Sequence, residues 1–134
     1  MKREHLDGIR RLYDAMNRRD VEELRAFGER YPGFSWQSAD DELGAPGKRQ
    51  SGEALAYSRE LFELFAELQT EILETVDLRD DHVIFVVCHS MRGAQSGARA
   101  DRREAHLWTM AEDGTLSLRE FRTPEEARSA AAAA

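Results

Sequence analysis

The chain has 134 residues, 41% hydrophobic and 34% charged, with a formal net charge of −7 and a pI near 5.1. That length suits one domain with its own core, and the acidic balance argues against nucleic acid as a partner, because phosphate binding needs a basic surface. No apolar run reaches the length of a membrane span, and a single cysteine, Cys88, behind an N-terminus without an apolar signal segment points to a reducing, cytoplasmic setting.

In chain order, residues 4–18 read as a helix, with Leu6, Ile9, Leu12, Tyr13 and Met16 at helical spacing. Asp20 is placed as the cap of a second, short helix, with Glu23 at the capping-box position and Val21, Leu24 and Phe27 as its apolar stripe. Tyr31-Pro32-Gly33 ends that helix, and Phe34–Gln37 alternates as a short strand. Residues 38–50 form a Gly- and Pro-containing loop, long enough to serve as a lid over a pocket. Ser51 is read as capping a long helix through about Gln69, whose stripe is Leu55, Leu61, Phe62, Phe65 and Leu68.

The period then changes. Ile72–Leu78 reads as a strand, Asp80-Asp81 as a turn and His82–Met91 as a second strand. Val83–Cys88 is apolar on both parities, so this strand is expected to be covered on both faces and Cys88 to be a buried, inert thiol. Gly93 to Gly97 breaks the pattern before a third strand over 99–111, whose run Arg99-Ala100-Asp101-Arg102-Arg103, which contains an Asp and is followed by Glu104, reads as a solvated edge. Glu112-Asp113-Gly114 is the turn chemistry of a three-residue hairpin loop leading into the fourth strand. Counting back from that loop sets His106 opposite Glu120; a loop of two or four residues would set it opposite Phe121 or Arg119. Thr123-Pro124-Glu125-Glu126 opens a last helix. Segregated helices and strands predict an α+β fold, with 1–128 a single domain and 129–134 an alanine-rich tail of no assigned function.

An imidazole and a carboxyl held together are the usual equipment of proton transfer, so His106 and Glu120 are the candidate catalytic pair. An apolar wall around them would raise the Glu pKa and lower that of the His. The competing reading is a cross-strand ion pair at the sheet rim. Tyr13, Trp36, Tyr57 and Trp108, each an apolar body with a polar tip, are candidate substrate-binding aromatics, with core packing as the alternative. His89 joins them at the end of the apolar run, where a structural role is the alternative, while His82 and His5 are set aside. No His, Asp or Glu spacing suggests a metal-ligand set, and no phosphate loop, nucleophile elbow or Cys–His dyad stands out. No cofactor or metal is implied.

The stretch Ile9-Arg10-Arg11-Leu12-Tyr13-Asp14-Ala15-Met16-Asn17-Arg18-Arg19-Asp20-Val21-Glu22 resembles the opening of the SnoaL-like, ketosteroid-isomerase-like branch of the nuclear transport factor 2 superfamily. So do Gly52-Glu53-Ala54, Ala105-His106-Leu107-Trp108-Thr109-Met110, and Asp113-Gly114 followed by Arg119-Glu120-Phe121-Arg122-Thr123-Pro124-Glu125-Glu126-Ala127. The resemblance covers nearly the whole chain. It implies a cone: a curved antiparallel sheet wrapped around N-terminal helices, with a pocket at the wide end. Family members include isomerases, polyketide cyclases, epoxide hydrolases and dehydratases, and also plain binding or dimerisation modules, so fold alone does not settle function. In the cyclases a His on one late strand and an Asp on the next form the catalytic pair; His106 and Glu120 sit on the corresponding strands, with Glu one methylene longer. The isomerase's Asp general base has no match, since Asp40 and Asp41 lie in the loop, and the hydrolase's Asp-Arg-Asp trio is not evident. The first helix and first strand line the cone in that family, which favours Tyr13 and Trp36 as pocket residues. The expectation is a small-molecule pocket for an apolar or amphipathic ligand, with acid–base chemistry or plain binding as the two readings. A homodimer through the outer sheet face is also expected.

Overall fold

The computed structural model describes residues 1–39, 48–79 and 81–133. The proposed lid falls largely on 40–47 and the first turn residue on 80, outside the described residues.

Helix α1 (Arg3–Arg18) buries Ile9, Tyr13 and Ala15 and closes on Arg19, which takes the left-handed conformation at φ 57°. Helix α2 (Val21–Arg30) starts where the Asp20 carboxylate accepts the Glu23 backbone N–H at 3.1 Å, the cap that the sequence predicts. Strands β1 (Ser35–Gln37) and β2 (Lys48–Gln50) flank the undescribed segment.

Helix α3 (Ser51–Leu64) is shorter than its apolar stripe suggests. Gln50, not Ser51, is its cap residue, and Phe65 and Leu68 belong to the strand β3 (Phe65–Arg79). The reason lies in α1. Arg19 donates Nη1 to the Phe62 carbonyl at 2.8 Å and Nη2 to the Phe65 carbonyl at 2.6 Å. Carbonyls that a helix end leaves orphaned thus find donors, and from Phe65 onward β4 (His82–Gly93) offers a ladder instead.

With β5 (Arg99–Met110) and β6 (Leu116–Phe121), six strands form one sheet in the order β2-β1-β6-β5-β4-β3. Its pairs are antiparallel except β1–β6, which is parallel, with Trp36 beside Leu118. Three register shifts along β3–β4, at Phe65/Glu67, Ile72/Glu74 and Asp77/Arg79, add the local twist that curves the sheet.

The sheet separates two apolar layers. On the concave face Ile9 and Tyr13 pack with Phe34, Val83, Phe85, Val87 and Trp108. On the convex face Ile84, Ala105 and Leu107 pack with Ala127 and Ala131 of α4 (Pro124–Ala133). Strand β4 is therefore covered on both sides. The alanine tail continues α4, and this helix covers part of the outer sheet face that the resemblance reserves for a second copy.

Asn17 ties the end of α1 to the edge strand. Its side chain donates to the Thr70 carbonyl at 2.9 Å and accepts the Thr70 N–H at 2.7 Å. Replacing Asn17 with alanine should cost about 1–3 kcal/mol, because two backbone groups lose partners. A thermal melt should fall by several degrees; an unchanged midpoint would mean that water takes over both bonds.

Candidate functional site

A cavity of about 700 Å³, its open mouth included, lies between the concave sheet face and the three N-terminal helices. Its walls are mostly apolar: Leu12 and Met16 from α1, Leu24 and Phe27 from α2, Ala54 and Leu55 from α3, and Phe34 and Leu118. Tyr13, Ser58, Thr70, His89, His106 and Glu120 supply the polar atoms.

Strand alternation brings them together. Glu104, His106 and Trp108 are every second residue of β5 and share its concave face. The hairpin closes with the Ala111 N–H donated to the Thr115 carbonyl at 2.8 Å and Gly114 at φ 87°. The resulting register sets His106 opposite Glu120. His106 Nε2 lies 3.3 Å from Glu120 Oε2 and 3.0 Å from Glu104 Oε1. His89 Nε2 meets the same Glu104 oxygen at 2.9 Å, while Arg102 Nε reaches Glu104 Oε2 at 3.0 Å.

The other ring nitrogens are held by hydroxyls. Tyr13 Oη is 2.6 Å from His106 Nδ1, and Thr70 Oγ1 is 2.7 Å from His89 Nδ1. Trp108 Nε1–H donates to Tyr13 Oη at 3.0 Å. One Tyr13 lone pair is thereby taken, and the Tyr13 proton has Nδ1 of His106 as its acceptor. His106 then carries its own proton on Nε2 and donates it to Glu104.

Electrostatics follow from burial and these bonds. Burial pushes Glu104 up, but the imidazole donors of His106 and His89 outweigh it and hold the carboxylate well below its usual range. Burial, then the charge of Glu104, pushes Glu120 up to about 8. Burial lowers His106, against the pull of Glu104, and raises Tyr13 well above its usual value. At neutral pH the cluster holds one ionised carboxylate, one carboxylic acid and a neutral His106.

Of the residues singled out from the sequence, Tyr13, Trp36, His89, His106, Trp108 and Glu120 line this cavity. Trp108 forms its fully buried back wall, stacked on Phe34 at 5.7 Å. The Trp36 indole N–H is buried beside the Glu120 carboxyl, whose pKa it pulls down against the effect of burial. Tyr57 is not among the lining residues; its ring sits 5.1 Å from Trp36 and under the Arg49 guanidinium at 3.7 Å. His5 and His82 bond Tyr31 and Thr109 elsewhere, and Cys88 is half-buried rather than buried.

Glu104 and Thr70 escape sequence reading. Glu104 follows the charged run 99–103 that reads as a solvated edge, yet it is only 6% exposed. The signal was its two-residue offset from His106, which puts both on one face. Ligand atoms of His89, Glu104, His106 and Glu120 all lie within 4.8 Å of one another, so among the described residues these four form a group able to hold a cation. Linear spacing does not reveal it, because three strands contribute.

No protein-family model matches the sequence, and no curated protein matches it. Solved structures do. An NTF2-like protein of unknown function from Burkholderia pseudomallei superposes with a TM-score of 0.71 at 20% identity, over 90% of this chain and 92% of that one. A putative SnoaL-like polyketide cyclase from Jannaschia sp. gives 0.67 at 20% identity, over 87% and 83%. A Mycobacterium tuberculosis protein in complex with estradiol-17β-hemisuccinate gives 0.70 at 12% identity, over 90% and 94%. The chain thus has the α+β cone fold that these proteins share. No helix among the described residues is long and apolar enough to cross a membrane.

Proposed function

We propose that the cavity binds a small, largely apolar ligand with one polar end, and that Glu120 and His106 move a proton on it. The observation that carries this reading is the 3.3 Å approach of an imidazole to a carboxyl group on the wall of an otherwise apolar cavity. Apolar rings of the ligand would lie against Leu12, Met16, Leu24 and Phe27, and its polar atom would meet Glu120. Glu120 exchanges the proton. His106 is fixed from behind by Tyr13 and Glu104 and holds the Nε2 side of the reacting pair in place. The steroid ester held by the Mycobacterium tuberculosis protein of the same fold fits this ligand class.

Both tryptophans of the chain line the cavity, which supplies the test. Titration with estradiol-17β-hemisuccinate, estrone and 2-naphthol should quench their fluorescence saturably. Ser58→Leu, which narrows the cavity, should weaken the best of these at least tenfold. Failure of the whole panel to quench would remove the ligand half of the proposal.

A further inference from the structure

We infer that His89, Glu104, His106 and Glu120 form a binding site for one divalent first-row transition ion of the zinc class. The geometry comes first. In a tetrahedral shell with bonds of about 2.0–2.1 Å, donor atoms stand ~3.3 Å apart. Three of the donor pairs here stand 2.9, 3.0 and 3.3 Å apart, and none of the four atoms is more than 4.8 Å from another. An ion therefore enters with side-chain movements of up to about an ångström, which draw the wider-spaced donors together.

The donor chemistry selects the ion. Two imidazole nitrogens and two carboxylate oxygens suit zinc, cobalt or nickel; magnesium and calcium take oxygen shells. Arg102 holds Glu104 Oε2 at 3.0 Å and leaves Oε1, the oxygen that both imidazoles face, as the ligand atom.

The outer partners are already in place. Both rings present Nε2 to the cluster because their Nδ1 atoms face Tyr13 and Thr70. With an ion on Nε2, each ring carries its proton on Nδ1 and donates it to those oxygens. Tyr13 then accepts His106 on one lone pair and Trp108 on the other. Such held rings are what a metal site needs. Glu120 and both imidazoles line the ligand cavity, so the ion would also face that space, where it can polarise a ligand oxygen.

This inference goes beyond proton transfer and does not rest on it. An ion and a transferable proton are alternative occupants of the gap between His106 and Glu120. Turnover by chelator-treated protein tests the one, and metal titration tests the other.

The experiment is titration of chelator-treated full-length protein with Co²⁺, read by visible d–d absorption and calorimetry. One Co²⁺ per chain is expected, displaced by Zn²⁺ and unaffected by Mg²⁺ or Ca²⁺. His89→Gln should weaken binding at least 100-fold, and His5→Gln should leave it unchanged. Thr70→Val, which only frees Nδ1 of His89, should weaken it about tenfold and serves if His89→Gln does not fold. Absence of saturable d–d bands in the folded wild type overturns the inference. So does equal affinity in His89→Gln, or in Thr70→Val where that variant stands in.

Discussion

Replacing Glu120 with glutamine is expected to cut proton transfer by roughly 10²–10⁴-fold, the usual contribution of a positioned acid–base group. The amide keeps the shape of the side chain and an oxygen that can face His106 Nε2, but it cannot exchange a proton. Folding should be nearly indifferent. Its contact with His106 is long at 3.3 Å, the donors Trp36 and Ala39 beside it can be met by an amide oxygen as well, and an uncharged amide suits its buried setting. The measurement is deuterium uptake from solvent next to the carbonyl of apolar ketones, estrone and 2-tetralone among them, catalysed by chelator-treated protein. A melting midpoint within a few degrees of wild type, together with lost exchange, is the expected pair of results. A large drop in the midpoint would instead make Glu120 a structural partner. An absence of exchange above background in the wild type would leave a binding module.

The parts of the fold that read cleanly from sequence are those fixed by local chemistry. Asp20 caps α2 because a carboxylate three residues before Glu23 has one backbone N–H within reach. Thr123 does the same for Glu126 at the start of α4. Gly114 gives the hairpin its length, and the length gives the register that sets His106 beside Glu120. The parts that did not read are tertiary. Apolar spacing carried the α3 helix on through Leu68, but a guanidinium from α1 and a ladder from β4 end it at Leu64. The parallel pairing of β1 with β6 joins residues some eighty positions apart and leaves no local mark. Glu104 was hidden by the arginines around it. Charge density along a strand says nothing of which face each residue takes, and only the alternation with His106 and Trp108 turns Glu104 inward.

That buried carboxylate carries the second large effect. Replacing Glu104 with alanine is expected to destabilise the fold by about 3–5 kcal/mol, the cost of breaking a buried ionic cluster from one side. Three side chains lose Glu104 together, His89 and His106 at Nε2 and Arg102 at Nε, and His106 keeps only its longer, 3.3 Å contact with Glu120 on that nitrogen. Neither imidazole has room to turn, because Thr70 and Tyr13 hold the opposite nitrogens. Against a total stability of about 5–15 kcal/mol, such a loss takes a large share of the folding free energy. Urea unfolding of chelator-treated protein measures it without any contribution from bound metal. The midpoint should fall while the slope stays constant, since the surface exposed on unfolding is unchanged. The cluster also predicts non-additivity. With His89 already changed to alanine, the Glu104 substitution should cost at least 1 kcal/mol less than it does alone, because one of the donors facing Glu104 is gone. Costs that simply add would mean that Glu104 and His89 act separately, and the site would then be a set of neighbours rather than one bonded unit.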